Sequence, residues 1–279
     1  MAMKLTFIIP FKSKAHSKDW AQSCRLLDAT LNSLEAQSCD DYHAVLVCTD
    51  RPDLPGRYRN LTCLETDIRI EGSYDAWKGR GDKQRKVLHG LLHARALAPE
   101  RAMVVDADDL LHRDLVAYVR DHGSEADAFI INKGYRYTMG SPRLRRIKPF
   151  HLASGSSMIF PFRASDFEGI ASDREVERHV MTREAHPKPA EKVFAEAGWS
   201  YRYIPFPAAI YVRGHTDSIR DKFATERQGA PAKTRLRGSN LRKRASTIIA
   251  KILARAKGSP VLDAKMRHDF PGLPAPQPR

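Results

Sequence analysis

Three carboxylates, Asp106, Asp108 and Asp109, stand directly after the short apolar run of residues 102–105. An apolar segment of this length between polar residues is typical of a buried strand in a parallel sheet. The acids would then emerge at the carboxyl end of the strand, which is where open α/β sheets bind ligands. Crowded carboxylates repel one another unless a cation offsets them, and such oxygen donors suit Mg²⁺ or Mn²⁺. The segment therefore predicts a site for a metal that carries a diphosphate.

An Asp-x-Asp sequence also occurs often in solvent-exposed turns and helix caps, so its surroundings have to support this interpretation. Here it follows a strand-like run and precedes a helix-like one, Leu110 to His122. In this arrangement the chain resembles the GT-A glycosyltransferases, in particular the family 2-like inverting enzymes. The strand of those enzymes ends in an Asp-x-Asp that holds a metal and a nucleotide-sugar.

The resemblance extends over roughly residues 4–217. It implies an α/β fold with a mostly parallel, Rossmann-like central sheet flanked by helices. It also implies Mn²⁺ or Mg²⁺ as cofactor and a nucleotide-diphosphate sugar, most often a UDP-sugar, as donor. Asp106 would face the ribose and the metal, and Asp108 would coordinate the metal directly.

The first elements must place this strand within a sheet. Leu5 to Ile9 is predicted as a strand, and Asp19 is predicted to cap a helix with apolar residues at helical spacing from Trp20 to Leu34. A second strand is predicted from His43 to Cys48, and a third from Leu61 to Glu65. Strand, helix and strand in this order predict a right-handed parallel unit.

The loops that leave the first two strands carry the predicted nucleobase contacts. The resemblance places Pro10 and Phe11 after the first strand, and Asp50 after the second, on either side of the uracil ring. The alternative for Asp50 is a simple turn cap.

Basic residues precede the acidic strand. The polar stretch from Glu71 to Gly81 contains no P-loop and no G-x-G-x-x-G, which disfavours a kinase or dinucleotide-binding function. Asp82 is predicted to cap the next helix, whose first turns would hold Lys83 and Lys86. Cations at a helix N-terminus oppose the macrodipole unless an anion lies nearby, so both lysines are predicted diphosphate contacts. A solvated basic face is the alternative.

The second half of the chain carries the predicted acceptor side. Ala128 to Asn132 is predicted as a strand, and the Arg- and aromatic-rich connection from Tyr135 to Phe150 could stack on sugar rings or bind anionic groups. An exposed loop is the alternative for this connection. His151 to Ser157 leads into a strand from Met158 to Phe160 and resembles the acceptor-side strand of the family. Its small residues would let a substrate approach the backbone closely.

An inverting transfer needs a base that takes the proton of the acceptor hydroxyl. Family 2 enzymes place an acid in the region that corresponds to residues 166–186 here, so Glu184 is the predicted base and His186 the second choice. The acidic pair common in that family is absent, which leaves the base and the inverting outcome open. Further candidates are Asp173, Glu175 and Glu177.

A late histidine is the predicted third metal ligand. Residues 201–204 and 209–212 are predicted as strands that lead into Gly214 and His215. Several GT-A enzymes complete the metal shell with a histidine in a similar position, and a neutral imidazole can serve. A lone histidine in a loop is more often without such a role.

Charge is distributed unevenly along the 279 residues. Residues 231–279 carry twelve Lys and Arg and two Asp, which leaves +4 of the total +14 for residues 1–230. This pattern predicts a near-neutral catalytic domain, residues 1–230, and a basic tail, residues 231–279, of which Phe270 to Arg279 is predicted to be disordered. A basic amphipathic helix is predicted from Asn240 to Lys257, either on an anionic membrane surface or docked on the core.

The sequence thus predicts a metal-dependent glycosyltransferase that moves a sugar to a glycan or glycolipid hydroxyl. A sugar nucleotidyltransferase shares the sheet but needs a Gly-rich loop after the first strand, which is absent. A basic RNA-binding or membrane-associated binding protein is the other alternative, and nucleic acid is disfavoured by the near-neutral body. Four cysteines without metal-ligand spacing, and no stretch long enough to cross a bilayer, predict a cytoplasmic protein, peripheral to the membrane at most.

Overall fold

The structure is a computed structural model that describes residues 5–56, 58–68, 76–169, 189–217 and 259–274. The α-helices within these ranges are α1 (Trp20–Glu35), α2 (Ala76–Ala94), α3 (Leu115–Asp121), α4 (Ala190–Glu196) and α5 (Ala264–Asp269). The strands are β1 (Leu5–Pro10), β2 (Tyr42–Cys48), β3 (Leu61–Glu65), β4 (Arg101–Val104), β5 (Leu110–Leu111), β6 (Ala128–Ile130), β7 (Gly134–Thr138), β8 (Leu144–Ile147), β9 (Met158–Pro161), β10 (Tyr201–Tyr203) and β11 (Ala209–Arg213).

The larger sheet has seven strands in the order β10-β6-β9-β4-β1-β2-β3. β9 runs antiparallel to β4 and β6, whereas the remaining neighbours are parallel. The carboxyl ends of β1, β2 and β4 therefore meet at one edge of the sheet. This arrangement confirms the predicted α/β fold with a mostly parallel central sheet.

Helices cover both faces of the larger sheet, because its strands are apolar on both sides. On one face, Leu27 and Leu31 of α1 pack in the same core as Leu115 of α3. On the other face, Leu91 of α2 and Phe194 of α4 lie in a second core. The first helix begins as predicted, since the Asp19 side chain accepts a hydrogen bond from the Gln22 amide.

A smaller sheet, β5-β11-β7-β8, lies beside the larger one. One of its faces packs with α5 and with Leu26 and Ala29 of α1. The prediction of a connection from Tyr135 to Phe150 was wrong, because this segment contains β8 and most of β7. The Arg-rich sequence of β8 lacks the alternation of apolar and polar residues that marks a strand.

Two predicted helix boundaries were wrong. Leu110 does not begin a helix: it pairs with Ile210 in β5, and α3 begins only at Leu115. Asp82 does not cap α2, which already includes Ala76, so Lys83 and Lys86 lie in its middle turns. The macrodipole argument for these two lysines therefore fails.

The C-terminal part of the chain returns to the core. Residues 218–258, which include the helix predicted from Asn240 to Lys257, lie outside the described residues, so the boundary at residue 230 stays a prediction. Residues 259–274 are packed, with Phe270 1% and Leu273 8% exposed. The prediction of disorder was therefore wrong for Phe270 to Leu273. Among the described helices, none has the length and apolar character needed to cross a membrane.

Candidate nucleotide-sugar site

The three acids occupy a tight turn at the end of β4. The Asp106 amide donates a hydrogen bond to the Ser156 hydroxyl at 2.8 Å, and the Asp109 amide donates to the Asp106 carbonyl at 3.0 Å. Asp106 and Asp108 are each partly exposed, whereas Asp109 is fully buried. The turn thus presents two carboxylates at the edge of the sheet and directs the third inward.

Asp108 and His215 meet although more than a hundred residues separate them. The distance between His215 Nε2 and Asp108 Oδ2 is 2.8 Å, and the histidine side chain is only 6% exposed. β11 brings the histidine to this position, and Gly214 makes the turn with a φ of +81°, a conformation that disfavours residues with a side chain. The structure thus brings Asp108 and His215 together, and their role as metal ligands stays a prediction.

Asp106 has a cationic neighbour. Lys83 Nζ lies 2.6 Å from Asp106 Oδ1, and both side chains are partly exposed. A β-carbon at Gly155 would stand 3.3 Å from the Asp106 carboxylate and 3.3 Å from the Lys83 ammonium, so a larger residue there would crowd the pair. The Lys83 ammonium therefore contacts the acidic turn and lies where it could also contact an anionic ligand.

Asp109 connects the parts of the site. Its carboxylate accepts a hydrogen bond from the Ser154 hydroxyl at 2.6 Å and a longer one from the Val212 amide at 3.4 Å. Burial, followed by the negative charges of Asp108 and Asp106, raises the pKa of Asp109 well above its usual value. The side chain thus ties the turn to the loop before β9 and to β11. The sequence analysis gave Asp109 no separate role, because the sequence did not show that it alone points inward.

Lys86 differs from its prediction. Its side chain is 0% exposed, and its ammonium lies 3.0 Å from Asp82 Oδ1 and donates to the Phe11 carbonyl at 2.8 Å. Asp82 and the Phe11 carbonyl therefore already bind the Lys86 ammonium, which was predicted to contact the diphosphate. In this arrangement Lys86 fixes α2 to the loop after β1 and is not available to a ligand.

The predicted nucleobase residues lie at the same edge of the sheet. Pro10 ends β1, and the buried Phe11 ring packs 5.1 Å from the Trp20 ring. Asp50 accepts a hydrogen bond from the Lys14 amide at 2.7 Å and so holds the loops after β1 and β2 together. Contact of these residues with a base stays a prediction.

Asp217, which the sequence analysis did not single out, attaches the segment after His215 to the loop after β1. It forms an ion pair with Lys12 at 2.9 Å and accepts hydrogen bonds from the hydroxyls of Ser17 and Ser23. Burial alone would raise the pKa of Asp217, but the bonds from Lys12 and Ser17 hold it below its usual value. Asp217 therefore fixes the segment that carries His215 to the loop that carries Phe11.

The predicted base cannot be placed. Glu184, His186, Asp173, Glu175 and Glu177 all lie outside the described residues. Within the described residues, three other titratable groups are gathered: His151 Nε2 lies 3.0 Å from Glu191 Oε1, which also accepts a hydrogen bond from the Tyr203 hydroxyl at 2.7 Å.

The predicted three-residue metal shell is not closed in this arrangement. Across the described ranges, no three His, Cys, Asp or Glu side chains are gathered in a way that could hold a metal ion. Asp106 is paired with Lys83, while Asp108 and His215 face each other. The donor chemistry of this last pair, one carboxylate and one imidazole, nevertheless suits Mn²⁺.

The mostly parallel sheet, with an Asp-x-Asp turn at the end of β4, agrees with the α/β architecture expected from the sequence. The sequence matches no protein-family profile and no curated protein. Solved structures with a similar fold include S. aureus TarS in complex with UDP, with 14% identity and a TM-score of 0.48. The match covers 76% of this chain and 61% of the TarS fragment, so the chain spans less than two thirds of that relative's length.

Two other similar structures are covered almost completely by the match. A candidate nucleotide-diphospho-sugar transferase from Desulfovibrio desulfuricans has 13% identity and a TM-score of 0.35, with 91% of this chain and 95% of the other covered. Rv0371C from Mycobacterium tuberculosis, in complex with manganese, has 12% identity and a TM-score of 0.35, with coverage of 80% and 98%.

Proposed function

We propose that this chain is a glycosyltransferase that takes its sugar from a nucleotide-diphosphate donor, in particular a UDP-sugar. The observation that carries the proposal is the convergence of Asp108 and His215 at the carboxyl end of β4, with Lys83 on Asp106 beside them. Carboxylate, imidazole and ammonium groups at this edge of an α/β sheet fit a metal-bound diphosphate.

In this proposal each residue of the site has a separate role. Asp108 and His215 would hold Mn²⁺ or Mg²⁺, with Asp106 toward the ribose and the metal. The metal, when bound, supplies positive charge that stabilises the leaving diphosphate. Lys83 adds a second cation on the same side, and Asp109 keeps the acidic turn, the loop before β9 and β11 in register.

The acceptor in this proposal is a hydroxyl of a glycan or glycolipid. Its oxygen would attack the anomeric carbon of the donor sugar with inversion, and the bond from that carbon to the nucleoside diphosphate would break as the diphosphate leaves. Glu184, or in its place His186, would take the proton of that hydroxyl. These assignments rest on the sequence resemblance alone.

Binding of UDP to the full chain tests the donor site. Asp108→Asn is expected to weaken UDP binding in the presence of Mn²⁺ by about 100-fold or more, because even residues that only support a metal ligand are worth about 10–100-fold. Asp121→Asn is the matched control, since Asp121 is an exposed residue of α3 that pairs with Arg120. His215→Ala should likewise weaken Mn²⁺ affinity more than thermal stability.

Unchanged UDP affinity in both site variants would reject the proposed donor site. A His215→Ala variant that simply unfolds would show that the histidine is needed for packing, and its role at the metal would then have to be tested separately. In that case His215→Gln, which keeps a polar side chain, decides between the two roles through Mn²⁺ affinity alone.

We also propose that the basic segment, residues 231–257, binds an anionic membrane surface, where each basic residue near the lipid is worth about 1 kcal/mol. The full chain should bind vesicles that contain phosphatidylserine and lose this binding as salt rises beyond physiological strength. Deletion of residues 231–257 is a better test than truncation, because residues 259–274 belong to the core. Vesicle binding that survives the deletion, or tighter binding to RNA than to vesicles, would refute the membrane proposal.

A further inference from the structure

Two cysteines contact each other near one edge of the larger sheet. The Sγ atoms of Cys48, the last residue of β2, and Cys63, in the middle of β3, lie 3.6 Å apart. In the register of these strands Cys63 stands opposite Leu46, two residues before Cys48, so both thiols lie on the same face of the sheet. Both cysteines are free. The structure therefore holds two reduced thiols in direct contact.

The two thiols differ in their access to solvent. Cys48 is 0% exposed, whereas Cys63 is partly exposed. The difference arises because β3 is the last strand of the larger sheet and pairs only with β2 among the described strands. A small oxidant can therefore reach the Cys63 sulfur directly but not the Cys48 sulfur.

The surroundings of Cys63 favour its thiolate form. The hydrogen bond with Cys48 lowers the pKa of Cys63 most, and the positive charge of Arg51 lowers it further, whereas burial and the charge of Glu65 act against them. The same hydrogen bond, together with burial, raises the pKa of Cys48. The thiolate is the nucleophilic form of cysteine. Cys63 is therefore the nucleophile of the pair, and Cys48 stays a thiol.

We propose that Cys63 and Cys48 form a reversible redox site that a hydroperoxide oxidises. The Cys63 thiolate attacks the terminal oxygen of the hydroperoxide, the O–O bond breaks, and sulfur loses two electrons to the peroxide. The leaving oxygen takes a proton from water, and Cys63 becomes a sulfenic acid. The Cys48 sulfur then attacks the Cys63 sulfur, the S–O bond breaks, and hydroxide leaves with the Cys48 proton as water. The product is one disulfide.

The position of the two strands favours reversal of this reaction. The sulfurs must approach from 3.6 Å to about 2.0 Å to form a bond. Because the two residues are offset along their strands, this approach needs movement of the backbone. β3 can follow, since no described strand holds its other side. A disulfide that forces such a displacement is more readily reduced than an unstrained one. This inference does not depend on the proposed function.

Peptide mass spectrometry of the full chain tests the site. Reduced protein is treated with hydrogen peroxide, the remaining thiols are alkylated in denaturant, and each cysteine peptide is quantified. Cys63 should lose its free thiol about 10-fold faster than Cys24, whose pKa is raised by burial. A peptide cross-linked through Cys48 and Cys63 should appear as these thiols disappear, and glutathione should then release both thiols.

Three alanine variants separate the roles of the cysteines. In Cys48→Ala, Cys63 should be oxidised more slowly and should remain a sulfenic acid that dimedone labels. In Cys63→Ala, Cys48 should keep its thiol as long as the buried Cys24 does. Cys24→Ala is the matched control, because it removes another buried thiol from the core that contains Cys48, and it should leave the cross-link unchanged.

Equal rates of thiol loss at Cys63 and Cys24 would overturn the proposal, because contact with Cys48 would then not activate Cys63. Conversion of Cys63 to a sulfinic acid in the unaltered chain, with no cross-link to Cys48, would also overturn it, because the two sulfurs would then not close a bond. Both outcomes are read from the unaltered chain, so they decide the proposal even if a variant fails to fold.

Discussion

The buried pair of Lys86 and Asp82 gives a quantitative prediction. Lys86 is 0% exposed, and Asp82 only 6%, so replacement of Lys86 by methionine leaves a buried carboxylate without its cation. Loss of one partner of a buried ion pair costs about 3–5 kcal/mol. The hydrogen bond to the Phe11 carbonyl is lost as well. Lys86→Met should therefore lower the free energy of unfolding by at least about 3 kcal/mol.

The pair can be replaced together. In Asp82→Leu/Lys86→Met no buried charge remains, and such replacements are often neutral or stabilising. The double variant should therefore recover most of the stability lost in Lys86→Met. As a control, Arg51→Met breaks an exposed ion pair, Arg51 with Glu65, and should change stability by less than about 1 kcal/mol.

Urea unfolding followed by far-UV circular dichroism measures all three variants, and UDP titration of the folded Lys86→Met protein gives the second readout. The structural role predicts a large shift of the urea midpoint. If Lys86→Met were as stable as the unaltered protein but no longer bound UDP, this reasoning would be refuted. The diphosphate contact expected from the sequence would then be restored.

Three further predictions concern other parts of the chain. The hydrogen bond with Cys48 lowers the pKa of Cys63, whereas burial raises the pKa of Cys24, so alkylation of Cys63 by iodoacetamide should begin at a lower pH than alkylation of Cys24. Peptide mass spectrometry at a series of pH values measures both rates, and equal pH profiles would contradict the assignment. Phe270→Ala should destabilise the core by about 3–5 kcal/mol in urea unfolding, whereas a freely exposed C-terminal segment would show almost no change. Glu184→Gln should lower turnover by about 10² or more with donor binding unchanged, and activity that survives there but is lost in His186→Ala would exchange the two roles.

Much of the sheet could be predicted because its strands are continuous apolar runs bounded by polar residues. Leu5 to Ile9 and Leu61 to Glu65 agree with β1 and β3 to within one residue. Asp108 and His215 could be proposed together as metal ligands because the family resemblance suggested it. Their spacing along the chain alone could not have suggested it.

The errors have a common physical cause, which is that long-range contacts decide local structure. Leu110 follows a helix-like pattern, but pairing with Ile210 draws it into a strand. Lys86 stands in a basic sequence that indicates a solvated or ligand-binding group, and only the packing of α2 on β1 shows it to be buried with Asp82. Phe270 stands in a Pro-rich sequence, yet it fills a space between α1 and the smaller sheet.

The packing of residues 259–274 changes what the basic segment can do. Asp217 is held by Lys12 where the chain leaves the described core, and the carbonyl of Ser259 accepts a hydrogen bond from Arg143 where the chain returns. A surface that binds residues between Asp217 and Ser259 would therefore be connected to the described core by two stretches of polypeptide. Two connections restrict rotation about the attachment far more than one does, so binding there would select which side of the molecule faces the surface.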